Sequence, residues 1–181
     1  MRLFAALIPP EEALDELTEA VTPVRGARPG LRWLGRELWH VTLAFYGELD
    51  EEGLERLLPG LERAARGPAP RLALAGAGAF PGASRARVLW AGLEGELQGL
   101  AELADASAEA GREAGAAQDR HRGYHAHLTL ARSRLPGDLR PLVEDLAGFR
   151  GAEWRAEEVV LLRSRHGTPR YEPLRAWRLA D

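Results

Sequence analysis

The chain of 181 residues has no cysteine, no lysine and a single methionine. Without cysteine there is no disulfide, no thiolate-zinc site and no cysteine nucleophile, and a reducing compartment is permitted. Without lysine, the phosphate-loop lysine, a Schiff-base lysine and the lysine that ATP-dependent ligases adenylate are excluded as well. All 24 basic residues are therefore arginine, a usage that fits a GC-rich genome. Long apolar runs are also missing. Nothing approaches the roughly 18 consecutive apolar residues of a membrane span, and the start, MRLFAALIPPEE, has too short an apolar stretch for a signal peptide. The expected location is the cytoplasm. No Gly/Ser linker or low-complexity tail divides the sequence, so a single domain over 1–181, long enough to bury a substantial core, is expected.

Positive charge is not in excess either. The net charge is -3 and the pI about 6.0, which argues against a surface that coats nucleic acid indiscriminately. The charge is uneven, however: residues 1–119 hold 12 Arg against 19 Asp and Glu, while residues 120–181 hold 12 Arg against 8. A local anion-binding surface in the C-terminal third is consistent with that asymmetry.

RLFAALI, LRWL, WHVTLAFYG, RLALAGAGAF, SRARVLWAGL, HAHLTLAR, WRAEEVVLLRSR and YEPLRAWRL have the composition of strands. IPPEEALDELTEAV, with prolines at its start and acids in its first turn, reads as a helix. DEEGLERLLPGLERAA is helical by leucine spacing, with Pro59 expected to break or kink it. Residues 94–117 form the longest alanine-rich helical pattern, and DLRPLVEDLAGF is a further helix. Strands and helices interleave without a regular alternation, so the expected class is α+β rather than a doubly wound sheet.

One pattern occurs twice. His40-Val41-Thr42-Leu43 and His127-Leu128-Thr129-Leu130 are both His-x-Thr-Leu in apolar strands. With five His and five Thr in the chain, chance supplies only about 0.14 His-x-Thr pairs. Strand side chains alternate faces, so each histidine shares a face with its threonine while the intervening residues point into a core. If the two strands lie side by side, two imidazoles flank one reacting centre, one as neutral base and the other as charged acid, with two hydroxyls to hold non-bridging phosphate oxygens and no metal required.

These residues resemble the two-histidine phosphoesterase superfamily, and specifically its RNA 2',3'-cyclic phosphodiesterases, also called 2'-5' RNA ligases. The resemblance runs through MRLFAAL, LRWLGRELWHVTLAFYGEL, RVLWAGL, HAHLTLAR and VVLLRSRHGTPRYEPLRAWRL. It implies a bilobal α+β fold, two antiparallel sheets with flanking helices and a cleft lined by both His-x-Thr-x motifs. It further implies a phosphoric diester hydrolase that opens an RNA or nucleotide 2',3'-cyclic phosphate to a 2'-phosphate without cofactor, and that is able to run the reverse, 2'-5' ligation. By the same resemblance His40 is the proton donor, His127 the proton acceptor, and Thr42 and Thr129 bind phosphate. Arg132 is assigned to substrate binding, although it lies three residues beyond Thr129 and faces oppositely in an ideal strand, so that a bulge or strand end would have to re-aim it. The implied partners are RNA with cyclic-phosphate ends, tRNA fragments among them, or cyclic nucleotides; no membrane partner is implied, and a monomer is expected.

Several residues have less specific readings. His125 precedes His127 by one pleat, where a metal pair is conceivable, but a cleft-edge or structural role is favoured because no carboxylate adjoins it. Tyr124, Phe45 and Tyr46 are candidates for stacking on a base, Tyr124 being assigned to substrate binding and Phe45 rather to the core. Arg120, His121 and Arg122 form a basic run suited to a solvated turn or an RNA backbone, as does the loop carrying Arg163, Arg165, His166 and Arg170. Two other functions compete: a noncatalytic binder of cyclic-phosphate ends, and a metal-dependent phosphoesterase built on His125, His127 and a carboxylate such as Asp119.

Overall fold

Period-two alternation of apolar residues makes the strands, and the leucine spacing makes the helices that cover them. The computed structural model describes residues 1–26, 28, 30–117 and 123–181. Its strands are β1 (Arg2–Leu7), β2 (Arg32–Trp33), β3 (Val41–Glu48), β4 (Arg71–Phe80), β5 (Ala86–Gly95), β6 (Leu128–Gly137), β7 (Trp154–Arg155), β8 (Glu158–Ser164) and β9 (Tyr171–Arg178). Among the described residues they form one curled sheet in the order β7-β4-β5-β6-β3-β1-β8-β9, with β2 on β6. All strand pairs are antiparallel, as expected for an α+β chain. The two sheets implied by the resemblance are thus two halves of one sheet, joined between β3 and β6 at the Val41–Leu128 pair.

The helices are α1 (Glu11–Arg25), α2 (Glu51–Ala64), α3 (Leu97–Glu113) and α4 (Arg140–Leu146). α1 and α4 pack against the β4 half, while α3, with α2 against it, packs on β3. Leu14 and Leu17 of α1, Leu57 and Leu61 of α2 and Leu100 of α3 meet Val41, Leu43, Leu128 and Leu130 in the main core. The helices therefore lie behind the motif strands and leave the opposite face open. No helix among the described residues is long and apolar enough to cross a membrane.

α2 starts where Asp50 accepts a hydrogen bond from the backbone N–H of Gly53 at 2.7 Å, an N-cap of the usual kind. Pro59 does not break it, contrary to expectation. Its ring lies on the solvent side, while Leu57, Gly60 and Leu61 are buried on the other. Gly60 lets α3 approach so closely that a Cβ there would stand 2.6 Å from that of Ala110, and this packing carries the helix past the missing N–H. Pro173 is tolerated in β9 because β9 is an edge strand.

Candidate active site

Both histidines stand one residue before their strands, at the junction of the two halves. In the antiparallel register set by Val41–Leu128, His40 flanks Thr129 and His127 flanks Thr42. Val41 and Leu128 are fully buried, so the alternating residues face the open side. Diagonal neighbours across a regular antiparallel pair are roughly 7–8 Å apart, room for one phosphate between two imidazoles.

The two rings are fixed in the same way. His40 Nδ1–H donates to the Leu38 carbonyl and His127 Nδ1–H to the His125 carbonyl, each at 2.8 Å. A carbonyl only accepts, so Nδ1 carries the proton in both and Nε2 is left for chemistry. In the neutral form His40 Nε2 accepts from the Thr42 hydroxyl at 3.0 Å. Burial pushes the proton affinity of both rings below that of an ordinary histidine; the charges of His127 and Arg132 add to this for His40, and those of His125 and Arg132 for His127, against the opposing pull of the carbonyl bonds. Two rings biased toward the neutral form receive an anion well, because a bound phosphate supplies the negative charge that returns a proton to one of them.

A bulge follows each motif at the same place. Ala6 pairs with Thr42 but Ala5 with Ala44, which leaves Leu43 unpaired; Trp90 pairs with Thr129 but Leu89 with Ala131, which leaves Leu130 unpaired. Each extra residue turns inward, Leu43 at 4% exposure and Leu130 at 0%, and shifts the alternation by one. Arg132 is thereby swung onto the face of Thr129, as substrate binding requires, and its charge reaches both histidines. The equivalent residue in the other half is Phe45, which is 71% exposed and packs against Phe4 with ring centroids 5.9 Å apart. The expectation that Phe45 belongs to the core is wrong, and the bulge is the reason. The same shift corrects Tyr46, which is 1% exposed and donates its hydroxyl to the Ser107 carbonyl at 2.8 Å, so no base stacks on it.

Tyr124 is half-buried and its hydroxyl donates to the Thr42 carbonyl at 2.6 Å; it ties the segment before β6 to β3, and burial raises its pKa. His125 is exposed at the cleft edge, and what it gives His127 is its backbone carbonyl. Arg163 lies within β8, one residue before its end, and the loop carrying Arg165, His166 and Arg170 joins β8 to β9, with Arg165 paired to Glu172. Asp119, Arg120, His121 and Arg122 lie outside the described residues.

Sequence reasoning missed the aromatic walls. Phe4 and Tyr171 approach His40, with centroids 5.0 and 5.3 Å away, and Phe80 and Trp90 approach His127, at 4.9 and 6.1 Å. Trp90 was within reach of the alternation in RVLWAGL, which sets Val88, Trp90 and Gly92 on the face opposite Leu89 and Ala91. The carbonyl acceptors two residues before each histidine carry no signal in side-chain identity.

Comparison with known proteins agrees with this geometry. The family described as LigT like Phosphoesterase matches residues 8–90, a stretch that contains the first motif. An RNA 2',3'-cyclic phosphodiesterase of Thermus thermophilus is 39% identical over 168 residues, covering 91% of this chain and 82% of the relative. A crystal structure of the Thermus thermophilus protein TT0787 superposes with a TM-score of 0.79 at 34% identity, covering 99% of this chain and 98% of that one. Escherichia coli LigT complexed with 3'-AMP gives a TM-score of 0.77 at 28% identity, with the same coverage.

Proposed function

Because the chain belongs to the RNA 2',3'-cyclic phosphodiesterase family of LigT-like phosphoesterases, we propose that it hydrolyses the 2',3'-cyclic phosphate of RNA ends or nucleotides to a 2'-phosphate. The observation that supports this most directly is the meeting of two tautomer-locked imidazoles and two threonine hydroxyls across the Val41–Leu128 pair. The division of labour follows the family resemblance. His127 Nε2 takes the proton of a water as its oxygen bonds to phosphorus; the bond to the 3' oxygen breaks, and that oxygen takes the proton from His40 Nε2. Thr42 and Thr129 donate to the non-bridging oxygens, and Arg132 balances their growing charge. Tyr124 offers the substrate its ring, since its hydroxyl is engaged by Thr42.

The proposal extends to the whole chain acting as one bilobal, monomeric unit in the cytoplasm, on RNA ends that include tRNA fragments, and to the reverse, 2'-5' joining reaction. Because the chemistry needs no metal ion, it is tested by incubation with a 2',3'-cyclic nucleotide in chelator. A 2'-phosphate product is expected; a 3'-phosphate would reverse the leaving-oxygen assignment, and loss of turnover restored by one divalent ion would favour the metal-dependent reading.

A further inference from the structure

His40 takes its direction from a bond made outside the sheet. The carbonyl that accepts its Nδ1–H belongs to Leu38, which stands before β3 begins, so no ladder bond of that strand fixes where the carbonyl points. Its direction is set by the short turn Arg36–Leu38, closed by the Leu38 N–H on the Gly35 carbonyl at 2.9 Å and by the Trp39 N–H on the Arg36 carbonyl at 3.1 Å. Whatever holds that turn therefore holds the imidazole.

Two side chains hold it. Trp39 is sunk into the main core at 2% exposure and fixes the depth of the turn, but a single anchor leaves it free to swivel. The second anchor is Arg36, which reaches across to α1. Its Nη1 meets the Asp15 carboxylate at 2.6 Å and the Thr18 hydroxyl at 3.3 Å; its Nη2 meets the Glu11 carboxylate at 2.7 Å and the Glu11 carbonyl at 3.2 Å. Glu11, Asp15 and Thr18 are spaced i, i+4 and i+7 and so form one stripe of the helix. Ala13, Leu14, Leu17 and Val21 bury the adjoining face of α1, and the Thr18 hydroxyl donates to the Leu14 carbonyl at 2.7 Å, so the stripe is as firmly placed as the core beneath it. A planar guanidinium bound through both terminal nitrogens is fixed in direction as well as in place.

We infer that Arg36 is a positioning residue for His40: clamped on Glu11 and Asp15, it sets the rotation of the turn, aims the Leu38 carbonyl and so keeps Nε2 of the ring turned toward the phosphate. This rests on the function proposed above. Arg36 acts on His40 through the main chain, since its side-chain bonds all go to α1. The other ring does not depend on it. His127 is locked by the His125 carbonyl, in a segment tied to β3 by the Tyr124 hydroxyl on the Thr42 carbonyl. Loss of Arg36 is therefore a one-sided perturbation, which marks the acid and spares the base.

The test follows the full chain, Arg36→Ala and the double variant Glu11→Ala, Asp15→Ala by hydrolysis of adenosine 2',3'-cyclic phosphate and by the nitrogen NMR signals of the histidine rings. Exposed ion pairs add little to global stability, so the variants are expected to fold; the double variant, altered only at exposed helix positions, carries the test if Arg36→Ala does not. A misdirected rather than missing acid is expected to lower kcat about tenfold, with KM kept within about twofold. The alkaline limb of the pH profile should move to lower pH, because the Leu38 carbonyl bond that favours the charged ring is weakened. The His40 signals should pass from the Nδ1–H form toward a mixture of tautomers while those of His127 stay in place. Folded variants in which the His40 signals and the alkaline limb are unmoved overturn the positioning role, as does an equal disturbance of both rings, which marks a general loosening. An unaltered chain that leaves the cyclic nucleotide closed overturns the underlying function instead, and the ring signals still read the positioning, so the two failures are distinct.

Discussion

The half of the sheet that carries His40 and the half that carries His127 share one backbone plan and differ in what it delivers. Each has a histidine before the strand, locked by a carbonyl two residues back, then a threonine, then an inward bulge. The residue the bulge swings into the cleft is Phe45 in one half and Arg132 in the other. The walls differ as well: Phe4, Ala6, Val160 and Leu162 form a small apolar cluster beside His40 with Tyr171 against it, while Phe80 and Trp90 border His127. A symmetric frame thus places the two imidazoles, and under the proposed reaction the asymmetry of a cyclic phosphate, with an attacked side and a leaving side, is met by side chains. The backbone sets how the two rings are oriented; the swung residues set which side chains the cleft presents.

The comparison breaks first at the histidines. His40→Ala and His127→Ala are each expected to cost about 10²–10⁴ in kcat/KM toward a cyclic nucleotide. Their pH profiles should differ: loss of the acid removes the alkaline limb, loss of the base the acidic limb. Near-normal turnover in both variants refutes the pairing, and identical residual profiles refute the separate roles.

The next effect concerns the swung residues. Arg132→Ala is expected to lower kcat/KM by about 10- to 100-fold for every nucleotide, because it removes charge from the transition state irrespective of base. Phe45→Ala is expected to raise KM about tenfold at most, and more for purines than for pyrimidines, because stacking scales with ring area. A Phe45→Ala change that lowers kcat equally for all bases would show that the exposed ring supports His40 rather than substrate.

The smallest effect is on stability. Both histidines bind protons less readily in the folded chain than in the unfolded one. As pH falls below the ordinary histidine value of about 6.5, the unfolded chain therefore takes up protons that the folded chain refuses, and stability declines until the folded rings titrate. Above that value their contribution is flat. Chemical denaturation measured between pH 5 and 8 should show this slope, and the His40→Gln, His127→Gln double variant should flatten it; an unchanged slope in the double variant assigns the dependence elsewhere.

Much of this molecule was legible in its sequence. The duplicated His-x-Thr-Leu, the strands that hold it, the long alanine-rich helix and the face shared by histidine and threonine follow from spacing and alternation. Phe45, Tyr46 and Arg132 did not, because a bulge depends on the register of the neighbouring strand, and β1 and β5 are far from the motifs in sequence. Read by alternation alone, Phe45 belongs inside; one unpaired leucine reverses it. Pro59 was misleading for a similar reason, since the close approach of α3 at Gly60 outweighs the local break. The bond that His125 accepts from His127 was not legible because it goes to a main-chain carbonyl, which every residue possesses.

The two bonds from Nδ1 to main-chain carbonyls have a further consequence. A ring held there has one open port, so a proton that enters at Nε2 must also leave at Nε2. Each hydrolysis in the proposed direction ends with His127 loaded and His40 empty, the mirror of the starting state. That mirror state is the one from which the reverse reaction begins. Forward cycling therefore contains a reset, in which solvent or the departing product exchanges the load between the two rings, and the enzyme's direction at any moment is recorded in which of them is carrying it.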